Sequence, residues 1–471
     1  MSREWAERRD DADLTIAQRL ASRISDFQYR RVTPRALTAA RTALVDTIGV
    51  TLAGSIEPCS RLLRETLGVS DANGPCLVLG TRQRVGALEA ALLNGTASHA
   101  LDYDDFSKPF GGHQSVPLWA PLWAIAETHE CSGKDLIAAY VIGLETEIRI
   151  ARGVNFYHYD KGWHPTATLG IFGTVASVSH LLGLDEQHTA MALAIATSMA
   201  AGLKANFGTM VKPLHVGQCC RNGLLAVMLA EHEYGANLAA FEHKQGFLQV
   251  FNGEGNYDAE RIFENWGATL EIENPEMGLK QFPCCGSTHP AISMALSLVH
   301  QYGVQAGNIA SILIRPHPRR LAHTNNPHPQ TPLNAKFSVQ YAVSRALLDG
   351  AVRLEHFEGD AYKDPRVLRL LEMTRVEPHP DMPVDSSKQF GAEVSVTMHD
   401  GRVFTRRVDD LVGRGIENPM SDDEIWEKFS DCGRRVLEAE RVKQLYERLM
   451  RVETLGNVGG LARLMVPSEH P

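Results

Sequence analysis

Residues 162–166 read GWHPT and residues 206–217 read NFGTMVKPLHVG, and the stretch that these two motifs bracket decides the fold. Between them lie two runs of small and apolar residues, 167–182 and 188–203, whose apolar spacing and alanine content predict helices. A further run of the same kind follows at 217–234. Prolines and glycines at the ends of these runs favour helix starts and stops. The stretch therefore predicts packed helices whose ends carry a histidine and a lysine.

The helical pattern extends toward the N-terminus. Thr33 precedes Pro34 in the order preferred by an N-cap and a first helical residue, which predicts a helix over 35–50. Ser132 precedes a similar run. Many of these runs are rich in alanine and glycine, which lets helices approach closely in a bundle. The remaining predicted helices of this part span 85–101, 117–129 and 134–150.

The pattern changes near Pro275. Residues 311–314 predict a short strand, and two alternating segments, 393–398 and 402–408, flank Asp400-Gly401 as in a β-hairpin. Further helices are predicted at 336–349, 364–374 and 421–450.

This order of elements predicts a mainly α protein with an α+β second domain. At 471 residues the chain is too long for one ordinary domain. We expect a helical domain formed by both ends of the chain, 1–269 and 406–471, around an inserted α+β domain at 270–405. A cleft between two such domains is a common location for a binding site.

Composition excludes several classes of protein. Hydrophobic residues make up 44% and charged residues 22% of the chain, as in a globular protein in water. The net charge of −9 and the lack of a basic run argue against nucleic-acid binding. We expect no membrane segment, because no uninterrupted apolar run reaches the roughly 20 residues that a spanning helix needs. We also expect a cytoplasmic protein with reduced cysteines, because no signal peptide is seen.

The first candidates for chemistry are His164 and the pair Lys212 and His215. The spacing of three places Lys212 and His215 on one face if their segment is helical, although a loop that enters a helix fits Pro213 equally well. A lysine beside apolar walls can supply a fixed charge for a carboxylate. The alternatives are a surface lysine with a buried stem and a histidine that only caps a helix.

A second group of candidates lies at 99–105, where Asp102 and Asp105 belong to three carboxylates within four residues, and at His113. Like charges this close repel one another, so some of these carboxyls could keep their protons. A carboxylate can also orient an imidazole or act as a general base. The alternative is a solvated acidic loop after a helix. A magnesium site is less favoured, because no phosphate-binding loop accompanies the acidic residues.

A third segment, 280–289, contains Lys280, Cys285 and His289 just before a predicted helix at 290–301. Helix N-termini attract anions and lower thiol pKa values, so Cys285 or His289 could join a site and the Cys285 thiol should be partly activated. The alternative is a buried helix start that Ser287 or Thr288 caps.

Taken together, these motifs resemble the MmgE/PrpD family, whose members include dehydratases, decarboxylases and epimerases of small carboxylic acids. The resemblance implies a helical domain built from both chain ends, an α+β lid, a homodimer, and catalysis without metal or organic cofactor. The segments that carry it run along most of the chain: 46–50, 94–95, 99–105, 162–166, 208–217, 280–289 and 335–338.

The resemblance also implies roles for single residues. Site positions of the cis-aconitate decarboxylase branch match Asp102, His113, His164, Lys212 and Lys280. Two positions differ, because that branch has a histidine at Cys285 and a threonine at Phe106. A cysteine at 285, the eleven-residue step from Asp102 to His113 and residues 206–210 make the iminodisuccinate epimerase branch the most similar.

The resemblance implies that Lys280 binds a substrate carboxylate, while His164, Lys212, Cys285, His113 and Asp102 form the catalytic set. His215, His289 and Asp105 are further candidates for substrate binding. The leading hypothesis is a cofactor-independent epimerase of a small amino- or imino-dicarboxylate. The alternative is a lyase of the same family that dehydrates or decarboxylates a citrate-like acid. A third hypothesis is a carboxylate-binding protein without catalysis.

Overall fold

The structure is a computed structural model, and it describes residues 13–385, 388–411 and 414–468. The chain divides into two compact units. The helical unit comprises Met1–Ala100, Asp104–Met277 and Met420–Pro471, and the α+β unit comprises Leu101–Tyr103 and Gly278–Pro419. The domain limits predicted above, 1–269, 270–405 and 406–471, remain a prediction about independently folding parts.

Helices dominate the described residues, which confirms the predicted fold class. The α-helices are α1 Ile16–Ser25, α2 Pro34–Gly54, α3 Pro58–Leu67, α4 Ala87–His99, α5 Val116–Thr128, α6 Gly133–Val154, α7 Tyr157–Asp160, α8 Pro165–Thr168, α9 Gly170–Leu182, α10 Glu186–Thr197, α11 Val211–Glu231, α12 Phe247–Asn252, α13 His289–Tyr302, α14 Pro318–Thr324, α15 Pro332–Lys336, α16 Val339–Asp349, α17 Pro365–Glu372, α18 Asp422–Gly433 and α19 Ala439–Leu449. The strands are β1 Cys76–Leu77, β2 Arg84–Val85, β3 Phe106–Ser107, β4 Met277–Gly278, β5 Ile309–Pro316, β6 Thr374–Val376, β7 Ala392–Met398 and β8 Val403–Val408.

Two glycines set the spacing of α4 and α11. A Cβ on Gly95 of α4 would lie 2.7 Å from Cys220 Sγ, and a Cβ on Gly217 of α11 would lie 2.4 Å from Leu92 O. Atoms cannot approach this closely, so these helices pack at this distance only because glycine occupies both positions. The prediction that glycine allows close helix packing is confirmed for this pair of helices.

Helix α2 belongs to the buried core. Among the described residues it is the one helix long and apolar enough to cross a membrane by composition, and 72% of its most apolar window is buried inside the protein. Its N-terminus is capped as predicted: Thr33 Oγ1 accepts a hydrogen bond from Ala36 N, and Pro34 is the first helical residue.

The α+β unit holds a four-stranded sheet in the order β6-β5-β7-β8. The predicted hairpin is present as β7 and β8, which pair antiparallel, and Gly401 adopts a φ of 87° in the turn. Inward-facing residues of β5 and β7 pack with α13 and α16 in one apolar core. Strand β6, parallel to β5, was not predicted, and the single helix predicted at 421–450 is two helices, α18 and α19.

Candidate active site

His164 lies where a bridge and a helix start hold the backbone. Its N–H donates to Gly202 O at 3.0 Å, and Trp163 beside it forms an isolated β-bridge with Leu203. Pro165 then begins α8, and the His164 side chain makes no capping hydrogen bond. The interpretation of His164 as a ring that caps a helix is therefore wrong, and the imidazole is available for other contacts.

Lys212 and His215 both lie in the first turns of α11, so the helical alternative predicted for their segment is confirmed. His215 Nδ1 is 3.2 Å from His164 Nδ1, which requires one of the two nitrogens to carry the shared proton. The Lys212 ammonium lies 5.2 Å from the centre of the Phe207 ring, which forms a T-shaped contact with the His164 ring. An ammonium at the positive end of a long helix creates a strongly anion-attracting position.

Asp104 holds two further imidazoles together. Its Oδ2 accepts a hydrogen bond from His99 Nδ1 at 2.8 Å and lies 2.9 Å from His113 Nδ1. The His113 N–H also donates to Thr166 Oγ1, which links this segment to the loop that carries His164. The contacts of Asp104 with the imidazoles are ordinary hydrogen-bond distances through one shared oxygen, and we assign no metal site to them.

The electrostatics of this cluster favour neutral rings at His99 and His164. Burial lowers the pKa of His99 to about 4, although the Asp104 carboxylate opposes this shift. Burial, with His99 and Lys212 nearby, lowers the pKa of His164 well below its ordinary value. Burial opposes ionisation of Asp104 too, yet His113 and His99 hold its pKa well below the ordinary range. The region thus combines a carboxylate, a lysine and neutral bases.

Asp105 does not support its predicted role in substrate binding. Its side chain is buried, and its oxygens accept hydrogen bonds from the N–H of Ser115 and contact the Ser115 hydroxyl, which also contacts Tyr140 OH at 2.7 Å. Burial raises the pKa of Asp105 to about 8, so the carboxyl is protonated at neutral pH. The structure places Asp105 in a buried network that supports the start of α5.

The α+β unit holds its predicted site residues around Asp102. This residue has a φ of 54°, which is unusual for a residue other than glycine. Lys280 Nζ donates to Asp102 O at 2.6 Å and lies 3.1 Å from Asp102 Oδ1, while Lys336 Nζ donates to Leu101 O at 2.9 Å. Two buried ammonium groups therefore hold consecutive carbonyls of this turn. Lys336 was not predicted as a site residue, although it lies in the segment 335–338 noted above.

Cys285 is not the activated thiol that the sequence predicts. Burial and the Asp102 carboxylate raise its pKa, and Lys280 opposes them only in part. The Cys285 N–H donates to Lys336 O at 3.0 Å, so Lys336 contacts both the turn and the cysteine. Burial outweighs the helix because α13 begins at His289, beyond Cys285.

His289 is also held by its own segment. Its Nε2 donates to Cys284 O at 3.3 Å, and its ring packs edge-on against Phe282. Neither Ser287 nor Thr288 caps α13 through its side chain, so the capping alternative is wrong as well. The geometry of His289 favours a structural role over its predicted contact with substrate.

The structure thus groups the predicted residues into two sets. In the helical unit it brings together His164, Lys212, His215 and His113, and it adds His99 and Asp104, which the sequence prediction left out of the site. In the α+β unit it brings together Asp102, Lys280 and Cys285. That both sets act on one substrate remains a prediction. The contact between His99 and Asp104 could have been predicted from the sequence. The helix ends at His99, and a chain that turns back within five residues brings Asp104 to the His99 ring.

The helical unit holds the close pair His164 and His215, the Asp104 carboxylate beside two further imidazoles, and a lysine at a helix start. These groups define an enzyme of the acid–base class. The MmgE/PrpD N-terminal domain model matches residues 18–260, and the MmgE/PrpD C-terminal domain model matches residues 282–451. The chain belongs to the MmgE/PrpD family.

Similar proteins are decarboxylases by name. The human cis-aconitate decarboxylase is 27% identical over 462 residues, which cover 96% of this chain and 94% of that protein. The cis-aconitate decarboxylase-like protein oryM of Aspergillus oryzae is 28% identical, with 96% and 97% covered, and the cis-aconitate decarboxylase of Aspergillus terreus is 26% identical, with 91% of each covered. These relatives favour the lyase alternative over the epimerase hypothesis, for which the comparisons give no specific support.

Proposed function

We propose that the chain is a lyase that removes carbon dioxide from a small tricarboxylate of the cis-aconitate type. The observation that carries this proposal is the position of Lys212 at the start of α11, beside the closely paired imidazoles of His164 and His215. The names of the similar proteins support it.

The chemistry suits this arrangement. Decarboxylation breaks the bond between a carbon and its carboxylate, leaves the electron pair on the carbon, and ends when a proton reaches that carbon. The Lys212 ammonium and the N-terminus of α11 would bind a substrate carboxylate and stabilise the negative charge that develops. Neutral imidazoles within the same group would move the proton.

The test is a panel of cis-aconitate, 2-methylcitrate and iminodisuccinate, incubated with the protein in deuterium oxide with EDTA and followed by proton NMR. We expect carbon dioxide release and a new deuterated carbon from cis-aconitate. Release of water from 2-methylcitrate alone would instead identify a dehydratase. No turnover of any compound, with ligands still raising the melting temperature, would identify a binding protein.

A second candidate is the epimerase of an imino-dicarboxylate. The observation that favours it is the Cys285 thiol, which burial keeps protonated and which could therefore donate a proton to a carbanion. An epimerase would exchange the α-proton of its substrate for deuterium without any loss of mass. The NMR experiment separates this outcome from decarboxylation.

Three further expectations remain proposals: a homodimer, a cytoplasmic location, and catalysis without a metal or organic cofactor. Size-exclusion chromatography with light scattering would test the first. Retained turnover after dialysis against EDTA would test the absence of a metal requirement.

A further inference from the structure

His99 is the last residue of α4 and is almost fully buried, with 1% of its surface exposed. Its Nδ1 lies 2.8 Å from Asp104 Oδ2. An ionised carboxylate only accepts hydrogen bonds, so His99 must carry its proton on Nδ1 in the neutral state. The Nε2 atom of His99 is therefore a lone-pair acceptor whose orientation Asp104 fixes.

This Nε2 atom has no hydrogen-bond partner among the residues that the structure describes, and the same holds for Nε2 of His164. A buried polar atom without a partner destabilises the fold, so it calls for a physical explanation. The two rings lie 5.8 Å apart between centroids. Two unsatisfied nitrogens on neighbouring buried rings indicate a position for a polar ligand.

Another buried histidine of the helical unit, His158, has partners for both ring nitrogens. His158 is fully buried, yet its Nδ1 lies 3.0 Å from Asn252 Oδ1 and its Nε2 lies 2.8 Å from Thr168 Oγ1. Its two nitrogens are both satisfied by the protein. His99 differs because only one of its nitrogens is.

The charges that act on His99 come from Asp104, Lys212 and His113. Asp104 stabilises a positive ring, whereas Lys212 and His113 oppose it. A polycarboxylate that binds at Lys212 would neutralise the ammonium and add negative charge. Ligand binding would then favour protonation of His99, which is neutral in the unliganded protein.

We propose that His99 is a further acid–base residue of the site, and that Asp104 is its positioning residue. This inference rests on the proposed lyase function. The His99 ring takes up a proton from solvent when a small polycarboxylate binds. As the bond to the departing carboxylate breaks, the electron pair stays on carbon and takes the proton from His99 Nε2. Carbon dioxide leaves, and His99 returns to its neutral form.

The experiment measures the proton uptake directly. Tricarballylate, a saturated tricarboxylate that lacks the double bond of cis-aconitate, is titrated into the protein by isothermal titration calorimetry in several buffers of different ionisation enthalpy. The dependence of the observed enthalpy on the buffer gives the number of protons taken up. We expect uptake that approaches about one proton per site in the wild type at mildly acidic pH.

The critical variant is His99→Asn, whose side-chain amide can still donate to Asp104 but has no group at the position of Nε2. We expect it to bind tricarballylate without this uptake and to lose at least about 100-fold in decarboxylation. His99→Gln serves as a second variant if the first does not fold. The matched control is His180→Gln in α9, whose ring contacts Ile24 O away from the site, and it should keep both the uptake and the turnover.

Asp104→Asn tests the positioning role. Without the carboxylate the protonated His99 ring is less stable, so the basic limb of the kcat profile should move to lower pH. A purely structural role of Asp104 would lower the melting temperature and leave this limb in place.

The outcomes separate this inference from the proposed function. Wild-type uptake and turnover in His99→Asn would overturn the role of His99 and leave the lyase intact. Binding without proton uptake by the wild type would overturn it whatever the folding of the variants. A wild type that neither binds tricarboxylates nor decarboxylates any of them would overturn both.

Discussion

The helical unit and the α+β unit hold their candidate site residues in opposite ways. In the helical unit, burial favours neutral rings at His99 and His164, and the Nε2 atom of each lacks a hydrogen-bond partner among the described residues. In the α+β unit, Lys280 and Lys336 grip the backbone of the Asp102 turn, and Lys280 also pairs with the Asp102 carboxylate. The first arrangement leaves buried ring nitrogens that can still form hydrogen bonds, whereas the ammonium groups of the second donate to the backbone of a turn in which Asp102 has a φ of 54°.

This contrast indicates different roles for Lys212 and for the pair Lys280 and Lys336. Lys212 contributes an ammonium where a helix start already attracts anions, which suits it to bind a carboxylate. Lys280 and Lys336 donate to backbone carbonyls, which suits them to fix the shape of a turn. A large loss of turnover on substitution of Lys336 and a small loss on substitution of Lys212 would therefore contradict this contrast.

The largest expected effect is that of Lys212→Met. Removing the charge that stabilises a developing carbanion should reduce kcat by roughly 100- to 1000-fold, while the retained stem keeps the packing. Stopped assays with cis-aconitate and a thermal melt measure the two effects. The exposed Lys134 on α6 offers the control Lys134→Met, which should behave as wild type. A well-folded Lys212→Met protein with wild-type kcat would contradict the proposed role of this lysine in stabilising the developing negative charge.

His164→Gln should follow, with a loss on the order of 100-fold in kcat. The variant removes the ring that shares a proton with His215, and the bulk of the side chain is largely kept. Since the wild-type ring makes no capping hydrogen bond, the melting temperature should change little. A lowered melting temperature with full activity per folded molecule would return His164 to a structural role.

Lys336→Met should reduce turnover by roughly tenfold, in the range expected when a site group is displaced rather than removed. The loss of the bond to Leu101 O frees the turn at Asp102, so kcat should fall more than KM rises. Lys336→Arg keeps a donor and should restore part of the rate. Loss of stability without any change in kcat would show that the hydrogen bond from Lys336 to Leu101 O serves folding alone.

Asp105→Asn should change stability with pH rather than rate. In the folded chain Asp105 keeps its proton up to about pH 8, whereas an unfolded carboxyl loses it near pH ~3.9. Between these values the folded state binds more protons, so the contribution of Asp105 to the free energy of unfolding falls as pH rises. Relative to Asp105→Asn, the wild type should lose up to about 1.4 kcal/mol per pH unit across this window, measured by urea unfolding. A constant difference between pH 5 and 8 would contradict the raised pKa.

The smallest expected effect is that of Cys285→Ser, which should cost about threefold or less in a decarboxylase, because serine keeps the size and a polar hydrogen. Deuterium exchange on iminodisuccinate provides the opposing measurement. Complete loss of turnover in a folded Cys285→Ser protein would place the reaction at the thiol and revive the epimerase.

Much of the fold followed from the sequence because its signals are local. The Thr33-Pro34 start and the Asp400-Gly401 turn specify their structures within a few residues, and both are present. Strand β6 was missed because its three residues carry no alternation of their own and exist by pairing with β5. The prediction of one helix over 421–450 missed the turn between α18 and α19, where Gly433 packs against Val442.

The site was harder to predict because burial is a property of the whole fold. A helix start before 290 suggested an activated Cys285, yet desolvation raises the pKa of its thiol instead. Asp105 was predicted to bind substrate, yet it is buried and accepts a hydrogen bond from the N–H of Ser115 at the start of α5. The end of α4 at His99 hinted at its contact with Asp104, but the sequence does not show that the other ring nitrogen of His99 lacks a partner among the described residues.

The glycine contacts between α4 and α11 have a mechanical consequence. His99 ends one of these helices, and Lys212 and His215 begin the other, so the backbones act as two rods whose separation fixes the distance between the groups at their tips. Gly95 lies one helical turn before His99, and Gly217 lies within one turn after His215, so an added methyl group would push the helices apart close to these groups. The new atom would meet Cys220 Sγ or Leu92 O. Residues of increasing size at either glycine would thus increase the distance between His99 and the side chains of Lys212 and His215 without removing any of these groups.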